Sequence, residues 1–296
     1  CDAVTSSTVT VAVNAQPTIA PISDITECVG GTASLTANVS NGSGTVTYQW
    51  HQVGATPTAI SLATSQAYTP SASVAGTEQY YVVVTDAASG CNDPTSNTVN
   101  VVVVADPAIA IQPTAITECI GGTTALTVAA TGGTPLLTYQ WYNSAGAISG
   151  EILTSYTPSS TSAGTETYYA IASASGSGCT DATSSSVTVT VAADPAIATQ
   201  PTGIVECTGG TDQLSVALTA NTGTGTIAYQ WHQVGANPTA ITGANSASYQ
   251  PSSGTAGQTS YYVVITATGD GCDAVTSSTV TVAVNAQPTI APISDI

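Results

Sequence analysis

The 296-residue chain contains no lysine and no arginine. Against that absence stand 17 acidic residues and two histidines, for a formal net charge of −17. With no cation to neutralise phosphates, nucleic-acid binding is excluded. Attachment to an anionic membrane through a basic patch fails for the same reason. A lysine Schiff base, an arginine phosphate clamp and a lysine-derived isopeptide bond are equally ruled out. Trypsin-like proteases have nothing to cut. Charged residues make up only 6% of the chain, against about 25% in an ordinary soluble domain. Methionine and phenylalanine are missing too. No apolar run reaches the ~20 residues a membrane-spanning helix needs, so no direct membrane insertion is expected. Catalytic machinery is also lacking. His51 and His232 each follow a Tyr-Gln-Trp tripeptide, and Tyr142 stands at the third such position. A residue that swaps freely between repeats is poorly suited to acid–base work, and no nucleophile–base–acid set accompanies it. The chain reads as a non-enzyme.

What is present is β-forming. Alanine, valine, threonine and serine dominate, with 27 glycines and 15 prolines as punctuation. Runs such as Thr8-Val9-Thr10-Val11-Ala12-Val13 and Ser186-Val187-Thr188-Val189-Thr190-Val191 alternate polar and apolar residues, the period of a half-buried strand. No segment shows a helical period.

Three ordered anchors recur. Glu27-Cys28-Val29-Gly30-Gly31 returns as Glu118-Cys119-Ile120-Gly121-Gly122 and Glu206-Cys207-Thr208-Gly209-Gly210. Tyr48-Gln49-Trp50 returns as Tyr139-Gln140-Trp141 and Tyr229-Gln230-Trp231. Tyr80-Tyr81 returns as Tyr168-Tyr169 and Tyr261-Tyr262, each followed by a cysteine, Cys91, Cys179 or Cys272. The repeat is about 90 residues long, the size of a small β-sandwich. A longer period lies above it, because residues 1–25 recur identically as residues 272–296. The expected division is a final strand of a preceding repeat at 1–14, domains at 15–105, 106–193 and 194–285, and the opening strand of a next repeat at 286–296. Short Asp-Pro linkers, Asp106-Pro107 and Asp194-Pro195, predict a semi-rigid row of beads. At ~3.3 Å per strand residue, three domains would span about 100 Å.

Cysteine usage in a cation-free, Ser/Thr-rich chain suggests an oxidising compartment. The order of the motifs suggests bridges within each domain: Cys28–Cys91, Cys119–Cys179 and Cys207–Cys272. No CxxC spacing or histidine cluster favours a thiolate metal site. Cys1 is the equivalent of Cys272, so its partner is expected upstream. Trp50, Trp141 and Trp231 are expected in the cores, between the sheets. One tyrosine of each pair should face the core and the other outward. Glu27, Glu118 and Glu206 precede the first cysteines, and Asp93, Asp181 and Asp273 follow the second. They read as solvated loop charges, with a weak alternative in which Ca²⁺ binds near the domain junctions. No other cofactor is expected.

Taken in order, Cys-x-Gly-Gly, Leu-Thr, Tyr-Gln-Trp, Tyr-Tyr-x-Val, Gly-Cys and the closing Thr-Val alternation resemble the Ig-like repeats of giant Bacteroidota surface proteins. Gly178-Cys179-Thr180-Asp181 and Gly271-Cys272-Asp273 carry the last cysteine. The resemblance covers all three domains. It implies an all-β chain of tandem immunoglobulin-like sandwiches, exported by a type IX-like route to the bacterial cell surface or a secreted filament. The expected role is a structural fibre or adhesin stalk, with copies of itself as partners. A glycan-binding module reading exposed aromatics, and a spacer within a large secreted enzyme, are the alternatives.

Overall fold

The computed structural model describes residues 2–291 apart from residues 43, 89, 236 and 237. Cys1, with its expected upstream partner, and residues 292–296 of the recurring segment lie outside the described residues. Among the described residues every regular element is a strand.

The first domain contains nine: β1 (Thr18–Ile19), β2 (Ile25–Cys28), β3 (Leu35–Thr36), β4 (Val39–Ser40), β5 (Val46–Val53), β6 (Thr58–Ala59), β7 (Ala67–Tyr68), β8 (Gly76–Asp86) and β9 (Val99–Val104). One face is a five-stranded sheet in the order β2-β9-β8-β5-β6. Two short ladders, β1 with β4 and β3 with β7, complete the opposite face. Within the large sheet β2 runs parallel to β9, whereas β9, β8 and β5 alternate in direction. The second domain repeats the order with Ile116–Cys119, Val187–Ala192, Gly164–Ser173, Thr138–Asn143 and Gly146–Ala147. The third does so with Ile204–Cys207, Val280–Asn285, Gly257–Ala267, Ile227–Gln233 and Thr239–Ala240.

Side-chain alternation fixes which face is buried. Along β8 the residues from Tyr80 to Val84 alternate buried and half-buried, and β9 does the same. Trp50, Trp141 and Trp231 are fully buried between the faces. Each indole N–H would be costly to bury unpaired, and each donates to a backbone carbonyl: Ser65 at 3.0 Å, Leu153 at 2.9 Å and Ser246 at 2.9 Å. The glutamine before each tryptophan turns its amide onto neighbouring carbonyls, as Gln49 does to Ile60 O at 2.9 Å. That explains why the tripeptide recurs intact. A third tyrosine completes each core. Tyr68, Tyr156 and Tyr249 pack between the tryptophan and the inner tyrosine of the pair, with ring centroids 5.5–5.9 Å apart. The sequence signal was available: a tyrosine two residues before a proline in all three repeats.

Burial also sets how these tyrosines titrate. Desolvation pushes Tyr80 and Tyr168 up to about 12 and raises Tyr68, Tyr156, Tyr249 and Tyr261 as well. A phenol with a raised folded value contributes stability fully present below the ordinary value of 10 and lost as pH climbs toward 12. With no lysine to titrate in that window, alkaline unfolding should track tyrosinate absorbance. Circular dichroism and absorbance near 295 nm should therefore change together between pH 10 and 12, and a fold lost below pH 9 would contradict this account.

Residues 2–14 show what context contributes. Their sequence is that of residues 273–285, yet they form no strand and are exposed, with Val11 at 81% and Val13 at 91%. Their twins Val282 and Val284 sit in the third core at 2% and 7%. Strand propensity is equal in the two places; only the second has partners, on Gly257–Ala267 and Ile204–Cys207.

Candidate functional site at the domain junctions

The topology places the two cysteines of a domain at opposite ends. Cys28 closes β2, beside Val104 at the end of β9. Cys91 lies in the connection from β8 to β9, and β8 is antiparallel to β9, so that connection sits at the far end of the sandwich. A disulfide needs Cα atoms within about 7 Å. The within-domain pairing expected from sequence is therefore corrected. Cys28 is bonded to Cys179 of the second domain, with Cα atoms 4.9 Å apart. Cys119 of the second domain is bonded to Cys272 of the third, at 4.8 Å. Cys91 and Cys207 carry free thiols. The bridges join domains to one another.

Both junctions are built alike. At the first, the Cys28 N–H donates to Ser177 O at 2.9 Å and the Thr32 N–H donates to the Ser177 hydroxyl at 2.9 Å. At the second, the Cys119 N–H donates to Asp270 O at 2.8 Å. Asp270 Oδ2 accepts from the Thr123 N–H at 2.6 Å and the Thr124 hydroxyl at 3.0 Å. Those two donors, the Thr123 backbone first, hold the Asp270 carboxyl below its ordinary range. Gly178 and Gly271 have φ of +79° and +76°, and a Cβ on either would run into the backbone nitrogen of Gly31 or Gly122. The glycine before Cys179 and before Cys272 is thus required by conformation and by the neighbouring domain. The linker joins in: Asp106 Oδ2 accepts from the Thr180 hydroxyl at 2.9 Å and Asp194 Oδ1 from the Asp273 N–H at 3.2 Å.

The acidic residues separate into two kinds. Asp93, Asp181 and Asp273 are exposed. Glu27 and Glu118 are fully buried, which corrects their reading as solvated charges. Each folds beneath its own Gly-Gly turn. Glu27 Oε2 accepts the Ala33 N–H at 2.9 Å, Glu118 Oε2 the Thr124 N–H at 3.2 Å, and Glu206 Oε2 the Asp212 N–H at 3.2 Å. A Cβ on Gly31, Gly122 or Gly210 would strike that carboxylate. The Glu-Cys-x-Gly-Gly motif is therefore a turn capped by its own glutamate, and its first two copies are covered by the next domain. Among the described residues no three His, Cys, Asp or Glu side chains gather into a metal-binding group.

The outward tyrosine of each pair is half-buried, not free. Tyr81 stacks on His51 at 4.8 Å, Tyr169 on Tyr142 at 5.0 Å and Tyr262 on His232 at 4.9 Å, with interplanar angles of 8° or less. These are cross-strand partners in register. The residue after each tryptophan is thus a stacking partner, and histidine and tyrosine serve alike. Two shallow depressions, of about 190 Å³ beside Glu166 and 310 Å³ beside Glu78, lie on the domain flanks.

A buried tryptophan between two faces, parallel pairing of the second and last strands, and serial repetition define a tandem of immunoglobulin-like domains. Residues 15–104 and 105–192 match the family described as "Ig-like domain CHU_C associated", and the chain belongs to that family. Residues 202–286 match a family described as a domain of unknown function (DUF8696). No curated protein matches the sequence. Among solved structures the chain is similar to immunoglobulin domains 1-5 of Sidekick-1, at 16% identity and a TM-score of 0.47, covering 93% of this chain and 60% of that one. It is similar to an I-band fragment of titin at 12% identity and a TM-score of 0.46, covering 93% and 99%. It is also similar to extracellular domains 3-5 of Drosophila OTK at 15% identity and a TM-score of 0.38, covering 91% and 97%. These likenesses are distant; the assignment rests on the family match and the topology.

Proposed function

We propose that the chain is a segment of an extracellular load-bearing stalk or fibre, of the kind carried on bacterial surfaces or secreted as filaments by Bacteroidota. One observation carries this reading: each described junction is closed twice, by the main chain and by a disulfide between neighbouring domains. A single linker lets domains swing, whereas a second covalent tie a few ångströms away restrains bending. Disulfides of this kind persist in oxidising surroundings, which supports a location outside the cytoplasm. A low-charge, Ser/Thr-rich surface suits lateral packing of such rods. The glycan-binding alternative relied on freely exposed tyrosines, and the outward tyrosines are spent on stacking.

The test is the shape of the chain in solution. Small-angle scattering of the oxidised protein should give a rod near 100 Å long, at ~3.3 Å per strand residue, whose distance distribution broadens on adding a thiol reductant. A compact particle, or a profile that reduction leaves unchanged, would remove the support for a stiffened stalk.

A further inference from the structure

The third domain ends in a junction half that has no partner among the described residues. Glu206-Cys207-Thr208-Gly209-Gly210 repeats the motif that the second domain covers on the first, and the third on the second. Here Glu206 is half-buried and Cys207 exposed, where Glu27, Cys28, Glu118 and Cys119 are all fully buried. The turn is already formed: Gly209 has φ +86°, beside +83° and +86° for Gly30 and Gly121. The Thr208 N–H donates to Asn285 O at 2.9 Å, as Val29 does to Val104 O at 3.0 Å. The complementary half stands at the opposite end of the molecule. Gly90-Cys91 follows the Tyr-Tyr strand as Gly178-Cys179 and Gly271-Cys272 do, Gly90 has φ +81°, and Cys91 is a free thiol.

We propose that Cys207 and Cys91 are the two halves of a third inter-domain staple, closed between successive three-domain units of one polypeptide. The proposal deepens the stalk reading and rests on it. The occupant is a domain of the first type continuing the same chain, and not a separate molecule, for a steric reason. At the first junction Ala105 follows the last strand of one domain and accepts the Gly133 N–H of the next at 2.8 Å. Ala286 is its counterpart after Asn285, while Ala15 accepts the Gly42 N–H at 3.0 Å. In a junction between separate molecules Ala286 of one and Ala15 of the other would claim the same place. The conflict vanishes when they are one residue, and the sequence from Ala286 onward is the sequence from Ala15 onward. Closure is thiol–disulfide exchange. The Cys207 thiolate attacks a low-molecular-weight disulfide and releases one thiol. The Cys91-type thiolate then displaces the second, leaving the protein disulfide and two reduced small thiols.

The experiment joins the chain to a second copy of itself in the register where residue 272 takes the place of residue 1. The protein is refolded with oxidised and reduced glutathione, alkylated without reduction and mapped by mass spectrometry after Glu-C and chymotrypsin digestion. The expected product is a monomer in which Cys207 of the first unit is linked to Cys91 of the second, while Cys91 of the first and Cys207 of the second are alkylated. A Cys91→Ser change in the second unit should restore alkylation of the first unit's Cys207 and leave the other staples intact. Full alkylation of the first unit's Cys207 in the unsubstituted protein would overturn the proposal. Oligomers linked between molecules, from the 296-residue chain or the joined one, would overturn its single-polypeptide form. Rod-shaped scattering together with an alkylated Cys207 would leave the stalk reading standing and sink only the third staple.

Discussion

Pulled by its two ends in a force spectrometer, the oxidised chain should reach little more than a third of the length reached after reduction. The two disulfides overlap along the sequence, since Cys119 lies inside the loop closed by Cys28–Cys179 and Cys179 inside the loop closed by Cys119–Cys272. The shortest covalent route therefore runs forward to Cys28, across to Cys179, backward to Cys119, across to Cys272 and out. That route contains about 110 residues, or roughly 380 Å when fully extended, against about 1,000 Å for the reduced chain. Within-domain bridges would shorten the chain almost equally, because removing each loop while leaving every linker in series also keeps about 110 residues. The maximum extension before and after reductant therefore tests for covalent ties, and equal extensions would exclude ties of either kind. A Cys91→Ser change separates the two arrangements. It should leave the oxidised extension unchanged here, whereas loss of a within-domain bridge at that site would lengthen it by roughly 210 Å.

Truncating the central tryptophan, Trp141→Ala, should cost about 3–5 kcal/mol. The side chain is fully buried, and its loss also strands the Leu153 carbonyl that accepts its indole N–H. A domain of about 90 residues has only some 5–13 kcal/mol to lose, so the melting temperature of the second domain should fall by more than about 10 °C. The consequence for the rod should be muted. Cys119 and Cys179 both belong to the second domain, so its unfolding releases only the stretch between them while both neighbours stay attached. Calorimetry should show one early transition and two near their original temperatures. A uniform downward shift of all three would mean that the domains unfold as one unit.

Much of this was legible in the sequence. The Thr-Val alternation announces the closing strands because one face of each is buried, and the recurring Tyr-Gln-Trp marks the core because an indole in a strand centre needs both burial and an acceptor. The cysteine pairing was not legible from order alone. In a tandem array, bridges within domains and bridges between them draw on the same recurring cysteines. What decides is the direction of two strands: the parallel run of β2 beside β9 carries Cys28 to one end, and the reversal from β8 to β9 carries Cys91 to the other. The buried glutamates were missed for a related reason. A carboxylate before a cysteine looks like a loop charge until the Gly-Gly turn folds over it and a neighbouring domain closes the space.

The same parallel pair governs how a domain yields to tension. Once the staples are reduced, load drawn through the main chain pulls the start of β2 one way and the end of β9 the other. Since the two strands lie side by side and run in one direction, from Ile25 beside Val101 to Cys28 beside Val104, the pull acts along the ladder. Its hydrogen bonds are then loaded together, in shear. A hairpin at the same place would be peeled open one bond at a time.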